Sequence, residues 1–340
     1  MTITKPQNAS LIDSLSEGYA AINRRPWIVL IPILLNLFFW FGPQLSLGPL
    51  ISSSVNALKQ LQPALSEQED VQLMYDQLLA TGGVDLRQQL ALLNYVPVLH
   101  QYVVGSAEAT GGMPAVPEVL RPIDTQRTDT FEVGSIGGAL LAFVLLNAAG
   151  LALSALFFGQ VGAALRRDWS PLMALRRAPK IGLGMLAALA IVAGVGLALG
   201  LPLLFFVTLL LYLNQTLGLL ALFVFYWLAV WVSIYIGFMR EAIVISGLGP
   251  LRAIYTSFNV VRRNLWATLG FLLITLVISL GSGVIWHALV NSTAGVLIAI
   301  VGSAYIGSGL IAARMAFYRE RLRRWQAAPA KPTGIRAENS

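Results

Sequence analysis

Few side chains in this sequence are of the kinds that perform catalysis or bind metal ions. The 340 residues include no cysteine, and His100 and His287 are the only histidines. A thiolate metal site and a histidine-rich metal centre are therefore excluded. The phosphate-binding pattern G-x-x-x-x-G-K-[ST], the zinc pattern H-E-x-x-H and the nucleophile pattern G-x-S-x-G do not occur. We therefore expect neither an enzyme nor a bound cofactor or metal.

The strongly polar residues that lie deepest in apolar sequence are Asn36 and Asn147. The cores of the apolar runs contain no Asp, Glu, Lys or Arg, which ion-coupled carriers usually place at this depth. The sequence therefore disfavours a proton- or sodium-driven carrier. Amide side chains in apolar helices commonly bond to a neighbouring helix, and we expect both asparagines to do so.

Three Arg-Arg pairs each follow an amphipathic stretch and precede an apolar hairpin. They are Arg24 and Arg25, Arg176 and Arg177, and Arg262 and Arg263. Such a stretch is typical of a helix in the inner membrane interface, with its apolar face toward acyl chains and its arginines toward phosphate. The pairs are therefore candidates for contact with anionic lipid, although basic inner loops are usual in any inner-membrane protein. Their recurrence indicates a threefold hairpin repeat.

An aromatic stripe runs along one of the apolar runs and consists of Trp227, Trp231 and Tyr235. Interfacial tryptophans lie at the membrane edge, whereas Trp227 falls near the middle of its run. Packing against a neighbouring helix is the usual role of tryptophan at that depth. A hydrophobic ligand or a lipid tail is the alternative.

The elements that position these residues are predicted to be membrane-spanning helices. Hydrophobic residues make up 56% of the chain and charged residues 11%, and the mean hydropathy is +0.71. Soluble domains carry roughly 25% charged residues, and a spanning helix needs about 20 apolar residues. Six stretches meet that length, at 26–47, 136–161, 182–208, 214–238, 265–288 and 293–316. In the sixth, small residues recur at four-residue steps and predict close helix packing: Gly295, Ala299, Ser303 and Gly307.

The distribution of basic residues predicts the orientation of these spans. Nineteen of the 23 lysines and arginines fall on one side, and the other side holds Lys59, Arg87, Arg121 and Arg127. Because basic residues concentrate in cytoplasmic segments, both termini are predicted to be cytoplasmic in a multi-pass plasma (inner) membrane protein. The same placement favours a membrane surface, not nucleic acid, as the partner of the net charge of +7.

The predicted fold class is all-α, with six transmembrane helices, inner interfacial amphipathic helices and an extracytoplasmic helical insertion. The predicted order is an inner interfacial helix over 1–25, the first span over 26–47, an extracytoplasmic helical cap over 48–133 and five further spans over 134–318. A basic, disordered cytoplasmic tail follows over 319–340. The cap segment carries ten of the sixteen acidic residues and has apolar residues at helical spacing.

This plan resembles the six-helix membrane domain of glycerophosphodiester phosphodiesterases, and equally a broad group of uncharacterised bacterial membrane proteins. The resemblance lies in the helix, Arg-Arg and hairpin order and in Arg240-Glu241 ahead of Gly249-Pro250-Leu251. It covers most of the chain except 48–133. In that family the chemistry lies in a separate soluble barrel with paired carboxylates and histidines, which this chain does not contain. The resemblance therefore implies a fold without an activity.

Two functions follow as expectations. The first is a non-enzymatic membrane scaffold or accessory protein whose acidic cap engages a membrane or extracytoplasmic protein partner. The second is a lipid-handling or small-molecule permease-like protein, which the arginine pairs and the aromatic stripe would serve. Membrane lipids are partners in both.

Overall fold

The computed structural model describes residues 10–61, 69–82, 87–99, 130–166 and 170–327. Nearly all of these residues are helical. Before the long spans come α1 Leu11–Arg24, a 3₁₀ turn Pro26–Val29, α2 Leu30–Phe41, α3 Gly48–Leu61, α4 Glu69–Gly82 and α5 Arg87–Leu90. The remainder comprises α6 Ile136–Leu165, α7 Pro171–Leu213, α8 Gln215–Ile236, α9 Met239–Ser246, α10 Pro250–Arg263, α11 Leu265–Leu289 and α12 Thr293–Ala327. Two short strands are β1 Gln44–Ser46 and β2 Thr130–Glu132.

The described residues form an all-α protein with five helices long and apolar enough to cross a membrane. These are α6, α7, α8 together with α9, α11 and α12. A sixth span is obtained if α1 and the stretch Pro26–Phe41, which meet at an angle of 93°, count as one bent element. Such lengths and compositions are those of a multi-pass membrane protein.

The first apolar run is shorter than the predicted span 26–47. It consists of the 3₁₀ turn and α2, which ends at Phe41, with Gly42 at its C-cap. The next residues form β1, which pairs in parallel with β2 through Gln44 opposite Thr130. Because Pro43 disfavours helical backbone at Gly42, the helix stops before the apolar sequence does.

The first amphipathic helix packs on protein, unlike the predicted face toward acyl chains. Helix α1 runs antiparallel along α12, and its buried face contains Ser14, Gly18, Ala21 and Ile22. A Cβ on Gly18 would lie 2.3 Å from the backbone nitrogen of Ala313, so the two backbones touch at that point. The Tyr19 hydroxyl donates to the Ile306 carbonyl oxygen at 3.3 Å.

The second and third amphipathic stretches differ from one another. The second is the first part of α7, a single helix of 43 residues that continues through Pro202, so no separate interfacial helix exists there. The third is the separate helix α10, whose inward face includes Ala253 and Val260. Leu251, Tyr255 and Phe258 form an exposed row on its other side. The three segments therefore share a sequence pattern without sharing one local structure.

The core of the bundle surrounds α12. The predicted close-packing residues Gly295, Ala299, Ser303 and Gly307 are all buried. One large cluster joins α1, α6, α9, α10 and α12 at the end of the bundle that carries Arg240, Arg314 and Arg319, here called the basic end. A second cluster includes Phe39, Trp40, Trp286 and Ile300 and lies toward the strands, at the end here called the cap end.

The hairpin of α7 and α8 extends away from this core. Most side chains between 193 and 233 are exposed, and Asn214 caps the start of α8 by accepting from the Thr216 and Leu217 amides. Its exposed surface is almost entirely apolar, as expected for a hairpin surrounded by lipid.

The structure differs from the prediction in both the cap and the tail. Segment 48–133 contains α3, α4 and α5, but its residues 91–99 pack against the bundle, and 96–99 are buried within it. The tail is predicted to be disordered from 319, whereas α12 continues to Ala327. Arg319 holds this extension by donating to the Leu165 carbonyl oxygen at 2.7 Å.

Candidate functional site

The most unusual feature of the bundle is an irregular segment, residues 91–99, inserted among its helices. Val96 and Leu99 have no exposed surface, and Val98 is 4% exposed. Val96 belongs to the cluster at the basic end and Leu99 to the cluster at the cap end. Irregular backbone at such depth is stable only if protein groups satisfy its polar atoms.

Asn36 of α2 satisfies the second half of the inserted segment. Its side-chain oxygen accepts from the Leu99 amide at 2.7 Å, and its Nδ2 donates to the Pro97 carbonyl oxygen at 3.2 Å. The same Nδ2 also donates to Pro32 within α2 at 2.7 Å. The side chain is 1% exposed, so these backbone groups have no access to water as a substitute partner.

Two residues of α6 satisfy the first half. Asn147 accepts from the Leu93 amide at 3.0 Å and donates to the Leu90 carbonyl oxygen at 2.9 Å. The Ser154 hydroxyl accepts from the Tyr95 amide at 2.8 Å and donates to the Leu93 carbonyl oxygen at 3.3 Å. The predicted helix-to-helix bonds of Asn36 and Asn147 are thus bonds from a helix to the inserted segment.

Arg87, which lies four residues before the inserted segment, attaches the chain to the end of α2. Its guanidinium donates to the Phe38 and Phe39 carbonyl oxygens, at 2.9 and 2.8 Å, and stacks over the Phe38 ring. These carbonyls belong to the last turn of α2, where the Phe38 carbonyl oxygen also accepts from the Gly42 amide at 3.0 Å. A cation at a helix C-terminus is electrostatically favourable, so Arg87 joins the cap segment to the end of α2.

At the basic end, a short break in the helical structure separates α8 from α9. Ser257 of α10 bridges the break: its hydroxyl accepts from the Phe238 amide at 3.0 Å and donates to the Tyr235 carbonyl oxygen at 2.8 Å. Arg314 donates to the Gly237 carbonyl oxygen at 2.8 Å. The break is therefore a defined junction of four helices, α8, α9, α10 and α12.

A charged cluster adjoins this break and the tip of the inserted segment. Arg314 donates to Oε1 of Glu241 at 2.9 Å. Glu241 is 1% exposed, and its Oε2 has no hydrogen-bond partner among the described residues. The Arg240 guanidinium lies 4.6 Å from the Tyr95 ring centroid and 5.9 Å from that of Phe158, a cation–π arrangement. Tyr95 of the inserted segment thus contacts Arg240, the chain neighbour of Glu241 in the ion pair with Arg314.

The structure places the six predicted arginines at separate positions. Arg24, Arg176, Arg177, Arg262 and Arg263 are exposed and Arg25 is half-buried. The Arg262 guanidinium lies near the Phe258 ring and that of Arg263 near the Trp325 ring. The three pairs lie on or beside three different helices, α1, α7 and α10.

The aromatic stripe lies mostly on the surface. Trp227 is 46% exposed and packs edge-on against Phe223 and Tyr226 of its own helix, and Trp231 is 40% exposed. Tyr235 is half-buried, with its ring 5.0 Å from that of Phe258. The stripe therefore leads along the exposed hairpin to α10, where Tyr235 meets Phe258.

Sequence reasoning did not find the inserted segment, Ser154 or Ser257. The available signals were two asparagines in apolar runs and the apolar stretch 95–99 within an otherwise polar loop. Neither signal identifies its partner, because the contacts join residues more than fifty positions apart.

Comparison with known proteins gives no relative for this chain. No protein-family model matches it, and no curated protein and no solved structure does so either.

Proposed function

We propose that this chain is a non-enzymatic membrane scaffold with six spans and both termini in the cytoplasm. The sixth span in this proposal is the bent pair formed by α1 and Pro26–Phe41. Its orientation is supported by the excess of basic residues at one side, 19 against 4. In this arrangement α3 and α4 lie outside the membrane, where they present a docking surface to a protein partner.

The attachment of the cap to the bundle is the observation that supports this function best. Six hydrogen bonds between the bundle and the stretch 90–99 hold the segment that follows α4 and α5. At a net 0.5–1.5 kcal/mol each, they stabilise the inserted position by about 3–9 kcal/mol. Such a connection suits a platform of fixed position. A permease would have to break these bonds to open a path through the bundle.

The cap also has a surface suited to a partner. Helices α3 and α4 pack together through Val55 and Tyr75, which are buried. On the outside, Leu61, Leu73 and Met74 are exposed, although this helix pair is not part of a predicted span. Exposed apolar residues in a polar surrounding are typical of docking sites. Ten acidic residues in 48–133 favour a partner with a basic rim.

The test is a comparison of partner retention between two surface variants. Leu73→Gln with Met74→Gln changes the cap surface, and Phe223→Gln with Trp227→Gln changes a matched exposed apolar pair on the α7–α8 hairpin. Native mass spectrometry of each protein, gently extracted from its own membrane, would measure the stoichiometry of co-purifying protein. We expect the cap variant alone to lose the partner. Equal retention by wild type and cap variant would contradict the proposal.

Lipid handling is a second candidate, supported by the exposed row on α10. Leu251, Tyr255 and Phe258 face outward beside Arg262, which gives an apolar surface flanked by positive charge. This combination binds the interface of anionic membranes. If it serves lipid handling, changing Arg176, Arg177, Arg262 and Arg263 to Gln would reduce the bound anionic lipid. Unchanged lipid content in the purified variant would remove this candidate.

A further inference from the structure

An open cavity of about 700 Å³ lies at the basic end, between α1, α6, α9 and α12. The polar residues around it are Glu17, Arg166, Ser246, Arg319, Arg323 and Gln326. Its volume is within the range of about 300–1,000 Å³ that small-molecule sites occupy. None of the six arginines of the Arg-Arg pairs lines it, so it is distinct from the predicted lipid contacts.

The charge in the cavity favours an anion. Among the described residues that line it, Arg166, Arg319 and Arg323 contribute three positive charges and Glu17 one negative charge, a sum of +2. Arg319 is fixed by the Leu165 carbonyl oxygen and by an ion pair with Glu17. Arg323 is exposed and forms no ion pair within the described ranges, whereas its neighbour Arg324 pairs with Glu320. Its guanidinium donors therefore remain available to a ligand.

The remaining wall supplies a second kind of contact. Leu165, Ile245 and Leu322 give the cavity an apolar side. The Ser246 hydroxyl shares a hydrogen bond of 3.2 Å with the Tyr318 hydroxyl, which holds it in place at the rim. Because the C-terminal carbonyl of α6 would otherwise attract a cation, its occupation by Arg319 removes the main feature that opposes an anion.

We propose that this cavity binds an organic phosphate monoester. Arginine forks recognise phosphate with paired hydrogen bonds, and the apolar wall fits the carbon part of such a molecule. Two sources share this chemistry: the headgroup of an anionic lipid at the membrane surface and a free soluble phosphate ester. The proposal does not depend on the scaffold function, because the cavity and the cap lie at opposite ends of the bundle.

The two sources are separated by two matched probes. Dioctanoyl phosphatidic acid and glycerol 3-phosphate carry the same phosphomonoester, with and without acyl chains, and dioctanoyl phosphatidylcholine is the zwitterionic control. Titration calorimetry on the full-length protein in a neutral detergent would measure their binding. Saturable binding of the acid alone would assign a lipid headgroup, and comparable binding of glycerol 3-phosphate would assign a soluble ester. No saturable binding of either would overturn the proposal.

Three variants then locate the binding. We expect Arg323→Gln to weaken binding by about tenfold, the loss of roughly one charge-assisted contact. Glu17→Gln should strengthen binding, since it raises the net charge of the cavity. Arg262→Gln, an exposed arginine on α10 outside the cavity, is the control and should have no effect. Unchanged affinity in Arg323→Gln, or an equal loss in Arg262→Gln, would place binding elsewhere and refute the proposed site.

Discussion

At the scale of single residues, the polar side chains buried in the bundle form hydrogen bonds to backbone groups more often than to one another. Asn36, Asn147 and Ser154 each bond to the irregular segment 91–99. An unsatisfied peptide group in an apolar interior costs several kcal/mol, so three short polar side chains are enough to decide whether this segment can enter. The presence of polar residues at these three positions is therefore explained by the conformation of segment 91–99.

Asn36→Leu tests this dependence with little change in volume. It leaves the Leu99 amide and the Pro97 carbonyl oxygen buried without partners, and the expected loss of stability is about 1–3 kcal/mol for each group. Chemical unfolding in mixed micelles would measure the loss. Hydrogen exchange of 91–99 should also become faster.

The control is Asn291→Leu. Asn291 is exposed, and its amide donates only within its own turn, to Ala288 at 3.4 Å. We expect a change below about 0.5 kcal/mol, which is usual for surface substitutions. Equal stabilities for the two variants would mean that Asn36 does not hold the segment.

At the scale of elements, the contact between α1 and α12 determines where the amphipathic N-terminal helix lies. Gly18→Ala would place a Cβ 2.3 Å from the Ala313 backbone. The helices would have to separate, and the expected cost is about 1–3 kcal/mol. Thermal unfolding of the purified protein measures it.

Gly194→Ala is the matched glycine in α7, where an added Cβ meets nothing within 4 Å. This change should be neutral or stabilising, by up to about 1 kcal/mol, because alanine has the higher helix propensity. If Gly18→Ala proved as stable as Gly194→Ala, the close approach of α1 and α12 would be wrong.

The elements themselves were predictable to different degrees. The long helices follow from apolar length alone, and small residues at four-residue steps correctly indicated the packing of α12. Gly42 and Pro43 were available signals for the end of α2, but the pairing of β1 with β2 was not predictable, because the partner residues are 86 positions apart. For α10, the amphipathic pattern and Pro250 in the first turn gave a correct separate helix. In α7 the same pattern did not give a separate helix, because the helix continues through Pro179 even though proline has no amide donor for the helical hydrogen bonds.

At the scale of the whole molecule, the proposed topology can be tested without removing any residue, since the chain has no cysteine. Ser53→Cys introduces a thiol on the exposed side of α3, and Ser16→Cys introduces one on the exposed side of α1. A membrane-impermeant maleimide should label Ser53→Cys in right-side-out vesicles. Ser16→Cys should react only after permeabilisation, and the reverse result would invert the orientation.

The candidate site could be predicted only in part at this scale. Charge counting identified a basic end, and the arginine pairs are mostly exposed, as interfacial residues must be. The cavity near Arg323 could not be predicted, because its walls come from four helices spread over the entire chain. The spacing of residues in the sequence predicts which of them are neighbours on one helix, but it does not predict which helices come together around a cavity.

The inserted segment also has a consequence for biogenesis. Ribosomes synthesise 91–99 after Asn36 but before Asn147, Ser154, Arg240 and Ile300, and it contacts or packs with all of these elements. Its docking can therefore be complete only after α12 has been synthesised. Until then the nascent bundle has an unfilled centre, so truncated chains that lack α12 should remain substrates for membrane quality-control proteases.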